Sequence, residues 1–293
     1  MDLCAKNRIA REKRAGLPTE NHFAIQDLRG LPPLFDWVEC CAGDTNFQML
    51  LGGDDDGVAL RFFWNGSYEK ATISAWAWFA RRAKVILDIG AHTGCFTLAA
   101  FAANPSAQII SFEPYFVNFT RLILNMRANG ASTKYAFMVA AGDRAGAMPF
   151  SISAPRDRMA TGGFIGTKEG VPSIHIQAVA LDAFLPAKLT PQIGLVKMDV
   201  EGFEEQCLSG MVGILTAARP VIFFECTCPA TVNAAEKYLR ERDYTFLEID
   251  DDAGTISPVT SLSVYADDPK RPSMNKLNRI ALPDATVTAE MII

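Results

Sequence analysis

The sequence predicts an α/β fold built on a doubly wound, mostly parallel sheet. From about residue 84 onward, short apolar stretches rich in β-branched residues alternate with segments of helical periodicity. Strands that alternate with helices imply right-handed crossovers and parallel pairing. At 293 residues the chain is long enough for one large domain with an N-terminal extension, and we expect no second full domain.

The first predicted strands are KVILDIG at 84–90 and QIISFE at 108–113, both apolar enough to be buried on two faces. A helix follows, because its apolar residues recur at helical spacing and Gly130 supplies a C-terminal stop. Residues 135–140 are predicted to form a third strand. The apolar face of the helix consists of Phe119, Leu122, Ile123 and Met126.

Two further strands are predicted at 193–199 and 220–225, with one helix between them whose apolar residues are Phe203, Cys207, Met211 and Leu215. Two regions interrupt the alternation. A polar, glycine-rich loop at 156–170 precedes the period-two pattern of IHIQAVALDAF, which predicts an added strand. The segments YTFLEI, SLSVY and NRIAL are expected to be closing strands. The tryptophans of residues 1–80 suggest a packed cap.

Composition limits the possible partners and compartment. The net charge is -5 and no Lys/Arg-rich block is present, so binding to nucleic acid is not expected. The basic N-terminus lacks an apolar run, and glycine, asparagine and proline interrupt the uncharged stretch at 89–112. We therefore expect a cytoplasmic protein without a membrane segment. Seven cysteines without a C-x-x-C pair are expected to be buried, reduced thiols.

The strongest local motif is VILDIGAHTG at 85–94, where an apolar strand runs into Asp88, Gly90 and Gly94 before a helix. Gly90 permits a tight turn with close approach of a ligand, and Gly94 lets the start of the helix pack near it. Glu113 closes the next strand, where related folds place an acid that accepts hydrogen bonds from ribose hydroxyls. These residues predict an adenosyl or nucleotide pocket.

Two cofactors compete for this pocket. A nicotinamide site would favour G-x-G-x-x-G, whereas this chain has Ala91 and His92 between its two glycines. S-adenosylmethionine has no phosphates but carries a sulfonium and an ammonium, which an acid such as Asp88 would suit. His92 is expected to contact the cofactor or solvent. Asp143, after the third strand, could reach an adenine amino group or be an ordinary turn aspartate.

The residues that end the later strands are expected to face the chemistry, because ligands in open α/β sheets bind outside the carboxyl ends of the strands. Asp199 could act as a general base or orient a substrate hydroxyl, and these roles are favoured over joining Glu225 in holding a divalent cation. Lys197 points to the same side as Asp199, where it could balance charge, bind substrate or snorkel to solvent.

With these residues in view, the chain resembles the FkbM family of methyltransferases over roughly residues 60–283. The resemblance rests on VILDIGAHTGCFTL, SFEP at 111–114, AAGDRAG at 140–146 and LVKMDVEGFEEQCLSG at 195–210, followed by RPVIFFE. LDAF at 181–184 resembles the family's lead-in strand. The K-x-D-x-E-G-x-E run is the most particular mark, carried by Lys197, Asp199, Glu201, Gly202 and Glu204.

The resemblance implies a class I methyltransferase fold of seven strands with the last antiparallel, comprising residues 60–293 behind a cap of residues 1–59. It implies transfer of a methyl group from S-adenosylmethionine to a hydroxyl of a sugar or secondary metabolite, with Asp199, Lys197 and Glu201 at the reacting end. His92 stands where the family often has asparagine. The cofactor residues implied are Asp88, Gly90, Gly94, Glu113 and Asp143.

Three questions stay open at this stage. The loop at 151–173, with Arg156 and Arg158, could be a lid that also binds an acidic group, or an ordinary surface loop. A non-catalytic adenosyl-binding scaffold or sensor of the same fold is the alternative function, and the intact K-x-D-x-E-G run argues against it. An oligomer is possible, and residues 1–59 are expected to set the choice of substrate or oligomer.

Overall fold

The computed structural model describes residues 2–152, 162–264, 277–284 and 287–292. Its N-terminal part, residues 2–80, is a cap made of an antiparallel hairpin and four helices. Asp56 begins the helix after the hairpin by accepting hydrogen bonds from Val58 N and Ala59 N. The cap elements are α1 (Leu3–Ala15), α2 (Ile25–Leu28), β1 (Leu34–Ala42), β2 (Thr45–Gly53), α3 (Gly57–Asn65) and α4 (Lys70–Ala80).

The rest of the described chain contains both strands and helices, with runs of consecutive strands before α7 and after α10. The first half contains β3 (Val85–Ile89), α5 (Cys95–Ala103), β4 (Gln108–Phe112), α6 (Phe116–Ala128), β5 (Ala136–Phe137), β6 (Ala140–Ala141), β7 (Gly146–Ile152), β8 (Gly163–Ile165) and β9 (Ser173–Val179). The second half contains α7 (Leu181–Phe184), β10 (Ile193–Met198), α8 (Glu204–Ser209), α9 (Val212–Ala217), β11 (Val221–Glu225), α10 (Pro229–Tyr238), β12 (Thr245–Asp250), β13 (Thr255–Val259) and β14 (Asn278–Leu282).

The main sheet has the strand order β13-β12-β14-β11-β10-β3-β4-β5. Strands β5, β4, β3, β10 and β11 pair in parallel, and β14 is antiparallel to both β11 and β12. The doubly wound sheet with an antiparallel last strand is therefore confirmed, and β13 adds an eighth strand at one edge. Every residue of β3 is buried, as expected for a central strand.

The third predicted strand is divided between two sheets. Strand β5 pairs with β4 in the main sheet, whereas β6 pairs with β9 in a smaller sheet of order β6-β9-β7-β8. The added strand predicted from IHIQAV is β9, and it belongs to this smaller sheet. Strands β7 and β9 lie on either side of the predicted loop, and β8 occupies part of it. Arg156 and Arg158, proposed for a lid, lie outside the described residues.

Three other expectations were wrong. The helix after β10 is two short helices, because a Cβ on Gly210 would lie 1.8 Å from the carbonyl oxygen of Gly142 and the backbones meet there. LDAF forms helix α7 rather than a strand. From this helix, the Asp182 carboxylate accepts hydrogen bonds from Gly213 N and Ile214 N in the first turn of helix α9. Residues 261–264 of SLSVY form no strand, and β13 precedes them.

The cap packs on one face of the main sheet and shares an apolar core with it. Trp76 of α4 is fully buried, contacts the rings of Phe96 and Phe223 edge to face, and donates a hydrogen bond from Nε1 to Phe96 O at 2.9 Å. Trp64 is also buried, whereas Trp37 on the hairpin is 36% exposed. Trp64 and Trp76 therefore belong to the core shared by the cap and the main sheet, whereas Trp37 lies at the surface.

None of the helices in the described residues has the length and apolar character needed to cross a membrane. The seven cysteines are free thiols, and Cys40, Cys95, Cys207 and Cys226 are buried as expected. The expectation of burial was wrong for Cys4 and Cys41, which are exposed.

Candidate active site

The turn after β3 brings three neighbouring strands into contact. Gly90 adopts φ +81°, and its N–H donates a hydrogen bond to Phe112 O at the end of β4. A Cβ on Gly90 would lie 1.8 Å from the carbonyl oxygen of Asp199, which follows β10. The close approach of two backbones, together with the left-handed φ, therefore requires glycine here.

Glu113 is held by the backbone of its neighbours. It is 5% exposed, and it accepts hydrogen bonds from His92 N and Tyr115 N, each at 2.8 Å. Burial raises the pKa of Glu113 to about 6, against the lowering effect of His92 and of the backbone N–H groups. His92 adopts φ +51°, so its main chain turns towards Glu113. The carboxylate is thereby fixed at the cavity wall before any ligand binds.

Asp88 lies beneath the turn, not in the cavity wall. It is 1% exposed, and Thr97 donates a hydrogen bond to its Oδ2 at 2.6 Å. The Thr97 hydroxyl also lies 2.7 Å from Ser111 Oγ, which connects β3, α5 and β4. Burial raises the pKa of Asp88 to about 6, opposed by the Thr97 hydrogen bond and the charge of Lys197. This arrangement gives Asp88 a supporting position behind the turn.

Lys197 and Asp199 form a half-buried ion pair at the end of β10. Lys197 is 1% exposed and donates from Nζ to Asp199 Oδ2 at 3.2 Å, so its ammonium does not snorkel to solvent. The ammonium also lies 4.9 Å from the centre of the Phe96 ring. Burial lowers the pKa of Lys197, but the carboxylates of Asp199, Glu225 and Glu69 outweigh it and raise the pKa above the usual value.

The lysine is therefore surrounded by carboxylates from both parts of the molecule. Glu225 ends β11, and burial raises its pKa, with the Asp199 carboxylate adding to the rise. Glu69 belongs to the cap, and burial raises its pKa to about 7 while Lys197 opposes the rise. Asn278 of β14 donates from Nδ2 to Glu69 Oε2 at 3.1 Å. The cluster therefore contains three carboxyl groups, those of Asp199, Glu225 and Glu69, around the single ammonium of Lys197.

The remaining residues of the K-x-D-x-E-G-x-E run form the turn that follows Asp199. Glu201 and Gly202 adopt φ +52° and +93°, which reverses the chain. Glu204 is 2% exposed, accepts a hydrogen bond from Gly202 N at 3.2 Å and another from Thr231 Oγ1 at 2.8 Å. Glu204 therefore holds the turn, whereas Glu201 lines the cavity.

A cavity of about 480 Å³ lies over these strand ends. Its sheet side includes Gly90, His92, Glu113, Asp199 and Glu201. The opposite walls come from the smaller sheet and the cap. They include Phe150, Gly163 and Phe164 from the former, and Ile25, Arg29, Asp54, Asp55, Val58, Arg61 and Tyr68 from the latter. The volume suits a nucleoside-sized ligand.

A second cavity of about 930 Å³ adjoins the first, and the two share Ile25, Arg61 and Tyr68 as lining residues. The second cavity lies between the cap and the turn after β12, and its wall includes Glu69. Burial raises the pKa of the Tyr68 hydroxyl, and the carboxylates of Glu69, Asp199 and Glu225 add to the rise. Tyr68 therefore stands where the two cavities meet, near the carboxylate cluster.

The structure brings most of the predicted site residues together. Gly90, His92, Glu113, Asp199 and Glu201 line the first cavity, whereas Asp88, Gly94, Lys197 and Glu225 line neither cavity. Asp143 also lies outside the described walls of both cavities, and it pairs with Arg144 at 3.0 Å. Gly94 contacts Leu122 behind the turn; a Cβ there would lie 2.7 Å from Leu122 Cδ1. Sequence reasoning missed the cap residues Arg61, Tyr68 and Glu69, because they follow no pattern tied to the strands.

Within the described ranges, no group of three or more His, Cys, Asp or Glu side chains is arranged to hold a metal ion. The predicted alternative pair, Asp199 and Glu225, has the Lys197 ammonium as its cationic neighbour.

Comparisons with known proteins agree with the motifs. The methyltransferase FkbM domain matches residues 88–246. No curated protein sequence matches the chain. Among solved structures, a methyltransferase FkbM from Methylobacillus flagellatus KT is 13% identical with a TM-score of 0.43, covering 77% of this chain and 53% of its own. The present chain therefore spans about half the length of that relative.

Two other solved structures are also similar to the chain. A precorrin-6y C5,15-methyltransferase from Geobacter metallireducens GS-15 is 14% identical with a TM-score of 0.40, covering 72% of this chain and 86% of its own. A putative O-methyltransferase from Klebsiella pneumoniae is 12% identical with a TM-score of 0.38, covering 97% of this chain and 90% of its own.

Proposed function

The chain belongs to the methyltransferase family defined by the FkbM domain, and we propose that it transfers a methyl group from S-adenosylmethionine to a hydroxyl of a small-molecule acceptor. Sugars and secondary metabolites are the acceptor classes that the family resemblance suggests. The observation that carries the proposal is the carboxylate of Asp199, which lines the cavity and is held by the buried Lys197.

The residues of the first cavity fit this cofactor. Glu113 presents a buried carboxylate whose backbone partners leave lone pairs for ribose hydroxyls. Asp199 and Glu201 add negative charge on the side where a sulfonium and an ammonium would lie. When bound, S-adenosylmethionine supplies a methyl carbon attached to a positively charged sulfur, so acids near this position stabilise the bound cation.

The chain's own residues supply alignment and a proton acceptor. With S-adenosylmethionine held by Glu113, Asp199 and Glu201, a lone pair of the acceptor oxygen would form the bond to the methyl carbon, and the electrons of the carbon–sulfur bond would stay with sulfur. Asp199 accepts the proton that the hydroxyl loses. The adjoining second cavity offers the acceptor a place beside Tyr68, since Tyr68 lines both cavities. Lys197 keeps the Asp199 carboxylate oriented during this step.

The test measures binding and transfer separately. Purified protein is titrated calorimetrically with S-adenosylhomocysteine and assayed for methyl transfer to a panel of hydroxylated acceptors. We expect Asp199→Asn to bind S-adenosylhomocysteine more weakly, because one charge facing the ammonium is lost, and to lose about 100- to 10,000-fold in transfer rate at saturating cofactor, the usual contribution of a general base. The matched control is Glu205→Gln, because Glu205 lies nearby but pairs with Lys237 on the surface.

Three outcomes decide the proposal. Wild-type protein that is folded but binds no S-adenosylhomocysteine would contradict the choice of cofactor. Binding without transfer to any acceptor would instead favour a non-catalytic adenosyl sensor or scaffold. Transfer that survives in Asp199→Asn would show that another group accepts the proton.

A further inference from the structure

Two arginines of the cap, Arg29 and Arg61, line the first cavity. Ion pairs occur at many arginines of this chain, but neither of these two lies within ion-pair distance of a carboxylate in the described residues. Lys197, the other long cation nearby, is already neutralised by Asp199. The cavity wall therefore includes two guanidinium groups that have no ion-pair partner among the described residues.

Arg61 is the better placed of the two. It lies within helix α3, is partly buried, and its guanidinium stands 5.7 Å from the centre of the Tyr68 ring. Its one protein hydrogen bond among the described residues is a long one, from Nη1 to Gly57 O at 3.4 Å. Arg29 follows the short helix α2 and is exposed. Arg61 thus combines a fixed position with donors that remain available to a ligand.

The sheet gives the direction in which a bound cofactor would lie. Glu113 ends β4 and Asp199 follows β10, with β3 between them, so the two ends of the site are about 10 Å apart at ordinary strand spacing. An adenosyl group on Glu113 therefore directs the methionyl part towards Gly90 and Asp199. Tyr68 and Arg61 line the same cavity as Asp199, and the Arg61 guanidinium lies 5.7 Å from the centre of the Tyr68 ring. We place both at this end of the cavity, because the Asp199 carboxylate acts electrostatically on the Tyr68 hydroxyl.

The methionyl part ends in an α-carboxylate, which needs a cation in a cavity that already contains Asp199 and Glu201. We propose that Arg61 of the cap binds this α-carboxylate through paired guanidinium N–H groups. The inference rests on the proposed function, and it makes the cap part of the cofactor site. An arginine fork matches a carboxylate in a bidentate geometry that a histidine or lysine cannot reproduce.

The experiment compares two ligands that differ in the group at issue. S-adenosylhomocysteine carries the α-carboxylate, whereas 5′-methylthioadenosine keeps the adenosyl group and the sulfur but lacks the amino-acid part. By calorimetric titration of the full chain, we expect Arg61→Gln to weaken S-adenosylhomocysteine binding about 10- to 100-fold, the value of a charge-assisted hydrogen-bond pair. Binding of 5′-methylthioadenosine should stay unchanged.

Two further variants keep the test specific. Arg29→Gln removes the same charge from the same cavity and should change the affinity less, because Arg29 is exposed. Arg61→Lys keeps the charge without the fork and should bind S-adenosylhomocysteine with an affinity between those of wild type and Arg61→Gln. Thermal unfolding of each variant confirms that the cap remains folded.

The outcomes separate this inference from the proposed function. Wild-type binding of S-adenosylhomocysteine with no loss in Arg61→Gln would overturn the inference alone. Equal loss for both ligands would also overturn it, because Arg61 would then act by supporting the cavity. A larger loss in Arg29→Gln would assign the carboxylate to Arg29 instead. Failure of wild type to bind either ligand would overturn the proposed function together with the inference.

Discussion

The strand ends of the main sheet and the cap contribute to the same cavity in different ways. At the strand ends, the backbone holds the polar groups: Glu113 is fixed by two main-chain N–H groups, and Gly90 packs against the carbonyl of Asp199. In the cap, side chains reach the cavity from a helix and a turn, as Arg61 and Tyr68 do.

This difference indicates how readily each region tolerates substitution of its residues. A backbone-built site tolerates few substitutions, because moving one strand end displaces its neighbours. A site made of long side chains can change its ligand contacts while its helices stay in place. The strand ends therefore suit the part of the site common to a reaction, and the cap suits the part that adapts to a particular ligand.

The largest effect is expected from Gly90→Ala. The new Cβ would lie 1.8 Å from Asp199 O at a left-handed φ of +81°, and that oxygen belongs to a central strand end. We expect a loss of about 4 kcal/mol or more in the free energy of unfolding, measured by urea denaturation. In the cap, Gly66→Ala places Cβ 2.1 Å from Thr19 O, which lies in the loop between α1 and α2, outside any helix or strand. Its cost should be about 2 kcal/mol.

Gly130→Ala is the control for backbone strain alone, since φ is +75° and nothing lies within 4 Å of the new Cβ. It should cost about 1 kcal/mol. Equal losses of unfolding free energy in Gly66→Ala and Gly90→Ala would show that the cap loop is held as firmly as the sheet. That result would contradict the difference drawn here between the two regions.

The next effect concerns the charge cluster in which the two regions meet. Lys197→Met leaves the carboxylates of Asp199, Glu225 and the cap residue Glu69 without their buried cation, and should cost about 3–5 kcal/mol of unfolding free energy. The pKa of Glu69 is about 7 with Lys197 present, and Lys197→Met removes the cation that opposes the rise, so we would measure from about pH 8 upwards and expect the cost to grow as Glu69 ionises.

A double-mutant cycle sharpens this prediction. In Lys197→Met, the added change Glu69→Gln removes one repelling charge and should restore about 1–2 kcal/mol. A double variant no more stable than Lys197→Met would place Glu69 outside the cluster, and the cap would then contribute nothing to its energy.

The smallest effect is a pH dependence of ligand affinity at the strand ends. Burial raises the pKa of Glu113 from 4.5 to about 6. Ribose hydroxyls need the ionised carboxylate as acceptor, so affinity for S-adenosylhomocysteine should fall as the pH falls through about 6. The loss reaches about tenfold one pH unit below the pKa. Glu113→Gln should bind more weakly at neutral pH and lose this pH dependence.

Asp88→Asn is the matched control, because the pKa of Asp88 is also raised to about 6 but Asp88 does not line the cavity. The pH dependence should persist in this variant. If the pH dependence of affinity disappeared in Asp88→Asn and survived in Glu113→Gln, the titrating group would be Asp88 behind the turn and not Glu113 in the cavity wall.

The sequence predicted the local structure of the strand ends, and it did so through local constraints. An apolar run that ends in Asp88, Gly90 and Gly94 specifies a buried strand and a tight turn, because few backbones accommodate that order of residues. Glu113 followed from its place after the next strand. The sequence did not reveal that residues 135–141 would divide between two sheets, since strand periodicity contains no information about the partner strand.

The cap marks the limit of this reasoning. Its aromatic residues predicted a packed unit, and the structure adds that Trp76 joins the cap to the main sheet. Arg61, Tyr68 and Glu69 carry no signature, because an arginine on a helix or a glutamate in a turn is ordinary until another element faces it.

The amino-acid sequence by itself determined the central strands β3, β4, β10 and β11, the glycine turn after β3 and the acids that follow β4 and β10. These features depend on residues close together in the chain, where backbone geometry and apolar periodicity act directly. Only the tertiary structure decided that the cap closes the cavity and that Glu69 joins Lys197, Asp199 and Glu225. Contacts between distant segments arise from the packing of whole surfaces, and no short pattern encodes them.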